Sequence, residues 1–72
     1  MEEKEVLYNF GCNIRAERSR LRLSQEDLAA KTSITAKHLG KIERGEANPR
    51  LTSVIEIMDA LGVSFETLYS KK

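Results

Sequence analysis

The sequence predicts an all-α domain of five short helices and no sheet. Apolar residues recur at helical spacing in successive segments, first Leu7, Phe10 and Ile14, later Val54, Ile57, Met58 and Leu61. That period gives each helix one buried stripe. β-branched residues nowhere alternate with polar ones over a useful window, so strands find no support. Serine or threonine stands ahead of the later apolar runs and glycine behind two of them, which is the polarity of helix starts and stops.

The first helix is expected over about residues 5–21, with Leu7, Phe10, Ile14 and Leu21 on its stripe. Arg22 follows where a glycine would be the comfortable stop. Ser24-Gln25-Glu26-Asp27 reads as the second start: Ser24 can accept from free first-turn amides, and the two acids favour the positive helix end. Leu28 and Ala29 face inward, and this helix is expected to run out near Thr32-Ser33. Thr35 then caps a third helix after so short a connection that the two cannot lie in line, and Gly45 closes it. Gly45 to Pro49 is a loop. Thr52 or Ser53 is expected to cap the fourth helix, Ser53 and Glu56 having capping-box spacing. Gly62 ends it, and Ser64 opens a fifth helix with Phe65, Leu68 and Tyr69.

Seventy-two residues make one small domain, near the size at which a single core needs help and oligomerisation is a common source of it. The single cysteine, Cys12, excludes an internal disulfide and a Cys-rich zinc site. It fits a reducing compartment and reads as a packed small apolar residue. Tyr8 and Tyr69 read as core edges, with an interface as the alternative. No apolar run is long enough to span a membrane, and MEEKEV lacks the order of a secretory signal, so the expected location is cytoplasmic. Net charge is only +1, but residues 13–50 hold nine Lys/Arg against five Asp/Glu, between acidic flanks. A basic middle is the footprint of a nucleic-acid surface, although a solvated mixed-charge surface reads the same on charge alone.

Two helices joined by a tight turn form a helix-turn-helix. Ala29 supplies the small residue at their crossing, and Ile34 follows the turn as a core plug. In "TAKHLGKIERG" (35–45), Leu39 and Ile42 point inward while Lys37, Lys41 and Arg44 project from the other side. A rod apolar on one face and cationic on the other suits a DNA major groove; a solvated charged helix is the plain alternative.

"LSQEDLA" (23–29), "IERG" (42–45), "NPRL" (48–51) and "ALGVS" (60–64) resemble the lambda-repressor/Cro-like, Xre-type helix-turn-helix family, in its order and spacing, over about residues 10–69. The resemblance implies a compact five-helix bundle whose helix-turn-helix unit covers about residues 24–45. By position, Thr35, Ala36, Lys37 and Lys41 would meet base edges, a lysine reading guanine and Ala36 or the Thr35 methyl meeting a thymine methyl. Gln25, Arg44, Asn48 and Arg50 would hold backbone phosphates, which position without selecting sequence. His38, on the flank of the recognition helix, is assigned to phosphate contact or solvent. Arg18 and Glu43 match a structural ion pair, and Leu51, Ile55, Phe65 and Tyr69 a dimer interface.

The implied function is a DNA-binding transcriptional regulator on a palindromic operator as a homodimer, such as an autoregulator or restriction-modification controller. With no room for a ligand-binding second domain, regulation is expected from concentration, operator arrangement or a partner protein. The alternative is an antitoxin whose main partner is a toxin; RNA polymerase is another candidate partner. No cofactor, metal site, small-molecule ligand or membrane partner is expected, and no enzyme: there is one histidine, no nucleophile–base pair and no glycine-rich phosphate loop. Three positions depart from the family pattern. Ser33 and Arg22 replace usual glycines, so Ser33 is expected to take a left-handed conformation. Gly40 lies inside the recognition helix, where a bare backbone would let the helix sit deeper against DNA or simply be tolerated.

Overall fold

A computed structural model describes residues 2–69. Five helices follow one another: α1 (Glu3–Arg20), α2 (Gln25–Ala30), α3 (Ala36–Glu43), α4 (Leu51–Leu61) and α5 (Phe65–Tyr69). There is no strand among the described residues. One core joins them: Phe10 and Ile14 of α1, Leu28 and Ala29 of α2, Ile34 of the turn that follows, Leu39 and Ile42 of α3, Ile57 and Leu61 of α4, and Leu68 of α5. Each of the fully enclosed side chains, Ile14, Leu28, Leu39, Ile42, Ile57 and Leu68, contributes about 1.5–3 kcal/mol. α1 is the spine, packing on both α3 and α5, while α2 packs on α3.

Two contacts on α1 set where α3 lies. A side chain at Gly11 would run into the backbone carbonyls of Ile42 and Glu43, so α1 meets the C-terminal end of α3 almost backbone to backbone. Buried Asn13 donates from Nδ2 to the Leu68 carbonyl at 2.8 Å, tying α1 to α5.

The helix ends show how local chemistry divides the chain. α1 stops at Arg20 because Arg22 turns left-handed, with φ of 60°. The amide of Leu23 then donates to the Arg18 carbonyl and that of Arg22 to Ser19, closing the helix as a glycine would. Leu21 is thereby thrown off the stripe and is 39% exposed rather than buried. Ser24 and Asp27 form a reciprocal capping box at the start of α2, and those bonds hold the Asp27 carboxyl below its usual value of 3.8. α2 ends at Ala30, earlier than expected. Thr32 is responsible: its hydroxyl donates to the Ala29 carbonyl and accepts from the Ile34 amide, both at 3.0 Å.

Ser33 does not turn left-handed; among the described non-glycine residues only Arg22 has positive φ. Instead the Glu56 carboxylate takes the Ser33 amide at 2.6 Å and its hydroxyl at 2.9 Å. This also corrects the start of α4. Its N-cap is Arg50, with no side-chain bond, and Thr52 and Ser53 are already helical. The expected Ser53–Glu56 box is absent because Glu56 reaches across to the turn. Gly45 and Gly62, both left-handed, close α3 and α4.

Candidate nucleic-acid interface

The turn of Thr32 to Thr35 sets α3 across α2. Thr35 caps α3 by accepting from the His38 amide at 3.1 Å. Leu39 and Ile42 are buried, whereas Lys37, His38, Lys41 and Arg44 are exposed. The helix therefore shows solvent a cationic side over an apolar root. Ala36 is only half available, being packed against the core. Thr35 is exposed, and its hydroxyl oxygen is engaged by the cap.

Arg18 and Glu43 pair through two bonds, Nε to Oε2 at 2.8 Å and Nη2 to Oε1 at 3.0 Å. Nη1 of Arg18 also donates to the Leu23 carbonyl at 2.8 Å. The bond to Glu43 raises the Arg18 pKa above its usual value, against the opposing effect of burial. The Glu43 side chain is only 4% exposed. Removing Arg18 would leave that charge stranded, at a cost of about 3–5 kcal/mol. Gln25 joins the pair, its Nε2 donating to Glu43 Oε1 at 3.2 Å, so one amide hydrogen of the expected phosphate ligand is already committed.

Gly40 is buried rather than facing outward. A side chain there would lie 3.2 Å from Arg44 Nη1 and 3.4 Å from Gln25 Oε1. The bareness of Gly40 thus admits Gln25 and Arg44 against α3; it does not thin the outer face, because the helix turns this position toward α2.

A polar hollow lies at each end of α3. The first is lined by Ser33, Ile34, Thr35, His38, Asn48, Arg50 and Ser53. Arg15, Arg18, Gln25, Glu43 and Arg44 line the second. Arg44 is drawn to Glu46 by bonds of 3.1 and 3.2 Å. Both side chains are more than half exposed, so the pair is worth at most about 1 kcal/mol and can exchange for a phosphate. Gly11, Asn13, Arg15 and Glu46 were not among the residues singled out from sequence, and Glu56 was assigned there to a different partner, Ser53. A glycine and an asparagine interrupting the apolar stripe of α1 were the available signals for the first two.

Leu51, Ile55, Phe65 and Tyr69 are all exposed, Leu51 the most at 71%. Leu51 and Ile55 stand one turn apart on α4, and the Phe65 and Tyr69 rings stack with centroids 5.3 Å apart. Tyr69 and Tyr8 are exposed rather than core edges. Cys12 is half-buried, and its hydrogen bond with Tyr8 is the chief cause of that phenol's raised pKa. Among the described residues no group of three or more His, Cys, Asp or Glu is placed to hold a metal. Nor is any helix among them long and apolar enough to cross a membrane.

The family model described as Helix-turn-helix matches residues 14–68, the span from the core of α1 to α5. The chain belongs to the lambda-repressor-like, Xre-type helix-turn-helix family. Control protein C.SmaI of Serratia marcescens is 33% identical over all of this chain and 82% of that protein. A 38% identical match to the regulator y4dL of Sinorhizobium fredii covers 67% of this chain but only 24% of that longer relative. Among solved structures, the restriction-modification controller C.AhdI of Aeromonas hydrophila superposes with a TM-score of 0.84 at 32% identity, over 88% of this chain and 96% of that one. The controller C.Esp1396I, solved as a tetramer with its natural 35 base-pair operator, gives 0.79 at 30% identity, over 89% of this chain and 84% of that one. This helix-turn-helix chain thus shares its bundle with proteins named as controllers.

Proposed function

We propose that this chain is a sequence-specific, DNA-binding transcriptional regulator of the controller type, working as a homodimer on a palindromic operator. The observation that carries this reading is the two-sidedness of α3: Leu39 and Ile42 locked in the core, Lys37 and Lys41 free in solvent. Such a helix fits the major groove, where a lysine matches the acceptors N7 and O6 of guanine. Thr35 and the outer part of Ala36 complete the base-reading set. Gln25 and Arg44 at one end of α3, with His38, Asn48 and Arg50 at the other, are assigned to phosphates. The likeness to C.SmaI and C.AhdI supports the controller assignment, with autoregulation of its own operon as the expected role.

An eight-residue helix is about 12 Å long and spans only a few base pairs. Two copies are therefore needed, their α3 helices about 34 Å apart along the duplex. The exposed Leu51, Ile55, Phe65 and Tyr69 form the proposed two-fold contact.

The test is selection of binding sites from random duplex DNA, followed by a salt titration on the winner. A palindrome should emerge, bound with affinity that falls steeply with salt and exceeds that for unrelated duplex by about a thousandfold or more. Equal binding to every duplex would overturn the reading.

A further inference from the structure

The hollow formed by Arg15, Arg18, Gln25, Glu43 and Arg44 holds one cation that neither the fold nor the assigned contacts employ. Arg18 and Glu43 neutralise each other in a closed, bidentate pair. Arg44 meets Glu46. Arg15, exposed on α1 one turn before Arg18, has no ion pair or hydrogen bond to its side chain among the described residues. Positions three apart share a helix face, so the side of α1 that reaches α3 through Arg18 also carries Arg15 to the rim of the hollow.

The hollow therefore presents three donors to one volume: the uncompensated Arg15 guanidinium, the Gln25 amide, and an Arg44 guanidinium held only by an exposed partner. Planar guanidinium forks suit phosphate oxygens better than any other side chain. The single carboxylate lining the hollow, Glu43, is paired with Arg18, bonded by Gln25 and buried, so it does not repel an anion as an open acid would.

We propose that Arg15 is a phosphate-binding residue, and that α1 thereby joins the DNA interface, Arg15 closing with Gln25 and Arg44 on a backbone phosphodiester. The proposal rests on the DNA-binding reading above. Glu46 gives up Arg44 when the phosphate arrives, an exchange that the weak exposed pair permits. Arg15 adds affinity without sequence choice, since it reaches no base edge.

The experiment measures fluorescence anisotropy of the selected duplex and of an unrelated duplex across a salt series. It uses the wild-type chain, Arg15→Ala, Arg15→Lys and Lys4→Ala. Lys4 is an exposed cation on the same helix, about 16 Å away along its axis. Arg15→Ala should weaken both duplexes by the same factor and flatten the slope of log affinity against log salt by about 0.9 per subunit. Arg15→Lys should keep the wild-type slope, and Lys4→Ala should change nothing. Titration of the free protein with inorganic phosphate alone should show no saturable, Arg15-dependent site.

A wild-type slope in Arg15→Ala would overturn the proposal, as would an equal loss in Lys4→Ala or a changed sequence preference. A phosphate site that depends on Arg15 while duplex affinity does not would overturn it too. If the wild-type chain showed no salt-dependent duplex binding, the DNA-binding reading would fall first. That result is distinct from failure of Arg15 alone.

Discussion

Gly11 shows how much one side chain, or its lack, decides. Helix propensity alone would favour alanine by about 1 kcal/mol. Yet a methyl group there would meet the carbonyls of Ile42 and Glu43, which belong to the backbone and cannot rotate aside. Overpacking of that kind costs about 1–3 kcal/mol and sometimes more, so packing wins. With the clash at the upper part of that range, Gly11→Ala should lose about 1–2 kcal/mol net, read as a lowered urea midpoint at unchanged slope. A variant as stable as wild type would show that α1 and α3 do not approach as closely as described. The same contact bears on function, because the end of α3 that rests on Gly11 also carries Glu43 and, through it, Gln25.

Helix by helix, the termini make a prediction of their own. Arg22 holds a left-handed conformation that costs an L-residue about 1–2 kcal/mol, and its side chain is exposed. Arg22→Gly removes that strain but enlarges the freedom of the unfolded chain. A net gain of about 0.5–1 kcal/mol is expected, or roughly 3–6 °C in thermal midpoint. Arg22→Ala, which keeps the strain and removes the charge, should show no such rise; if it rises equally, charge rather than backbone is the cause.

What was legible in the sequence at this level was whatever depends on near neighbours. Ser24, Thr35, Gly45 and Gly62 act on atoms within five residues, so a short window of sequence contains both partners. Glu56 could not be read that way. Its partner Ser33 lies 23 positions away, and the local Ser53 spacing pointed to a box that does not form. Asn13 and Leu68 are 55 positions apart, beyond any periodicity. The inward turn of Gly40 was hidden for a similar reason: what surrounds it is set by the crossing of α2 on α3. Leu21 failed because the stripe was extended past a helix end that only the left-handed Arg22 defines.

For the whole molecule, the fold followed from the family motifs and the 3.6-residue period together, while the candidate site is divided. The cationic outer side of α3 was evident in the spacing of Lys37, Lys41 and Arg44. Ala36 being partly enclosed, Gln25 bonded to Glu43 and Arg44 drawn to Glu46 were not, since each depends on neighbouring elements. The cationic outer side of α3 and the residues of the proposed two-fold contact lie on different elements, the latter on α4 and α5. The Ser33–Glu56 bonds join the turn before α3 to α4, so the helix proposed to read bases is braced against the element proposed to meet a second copy. A rigid link of that kind would hold two α3 helices at a fixed spacing.

Site selection repeated with Lys37→Ala is the most direct test that the outer side of α3 reads sequence. One base pair in each half-site should lose its preference, by about 1–3 kcal/mol of discrimination, while the rest of the palindrome persists. An unchanged selected sequence, at whatever affinity, would contradict the assignment of the reading face.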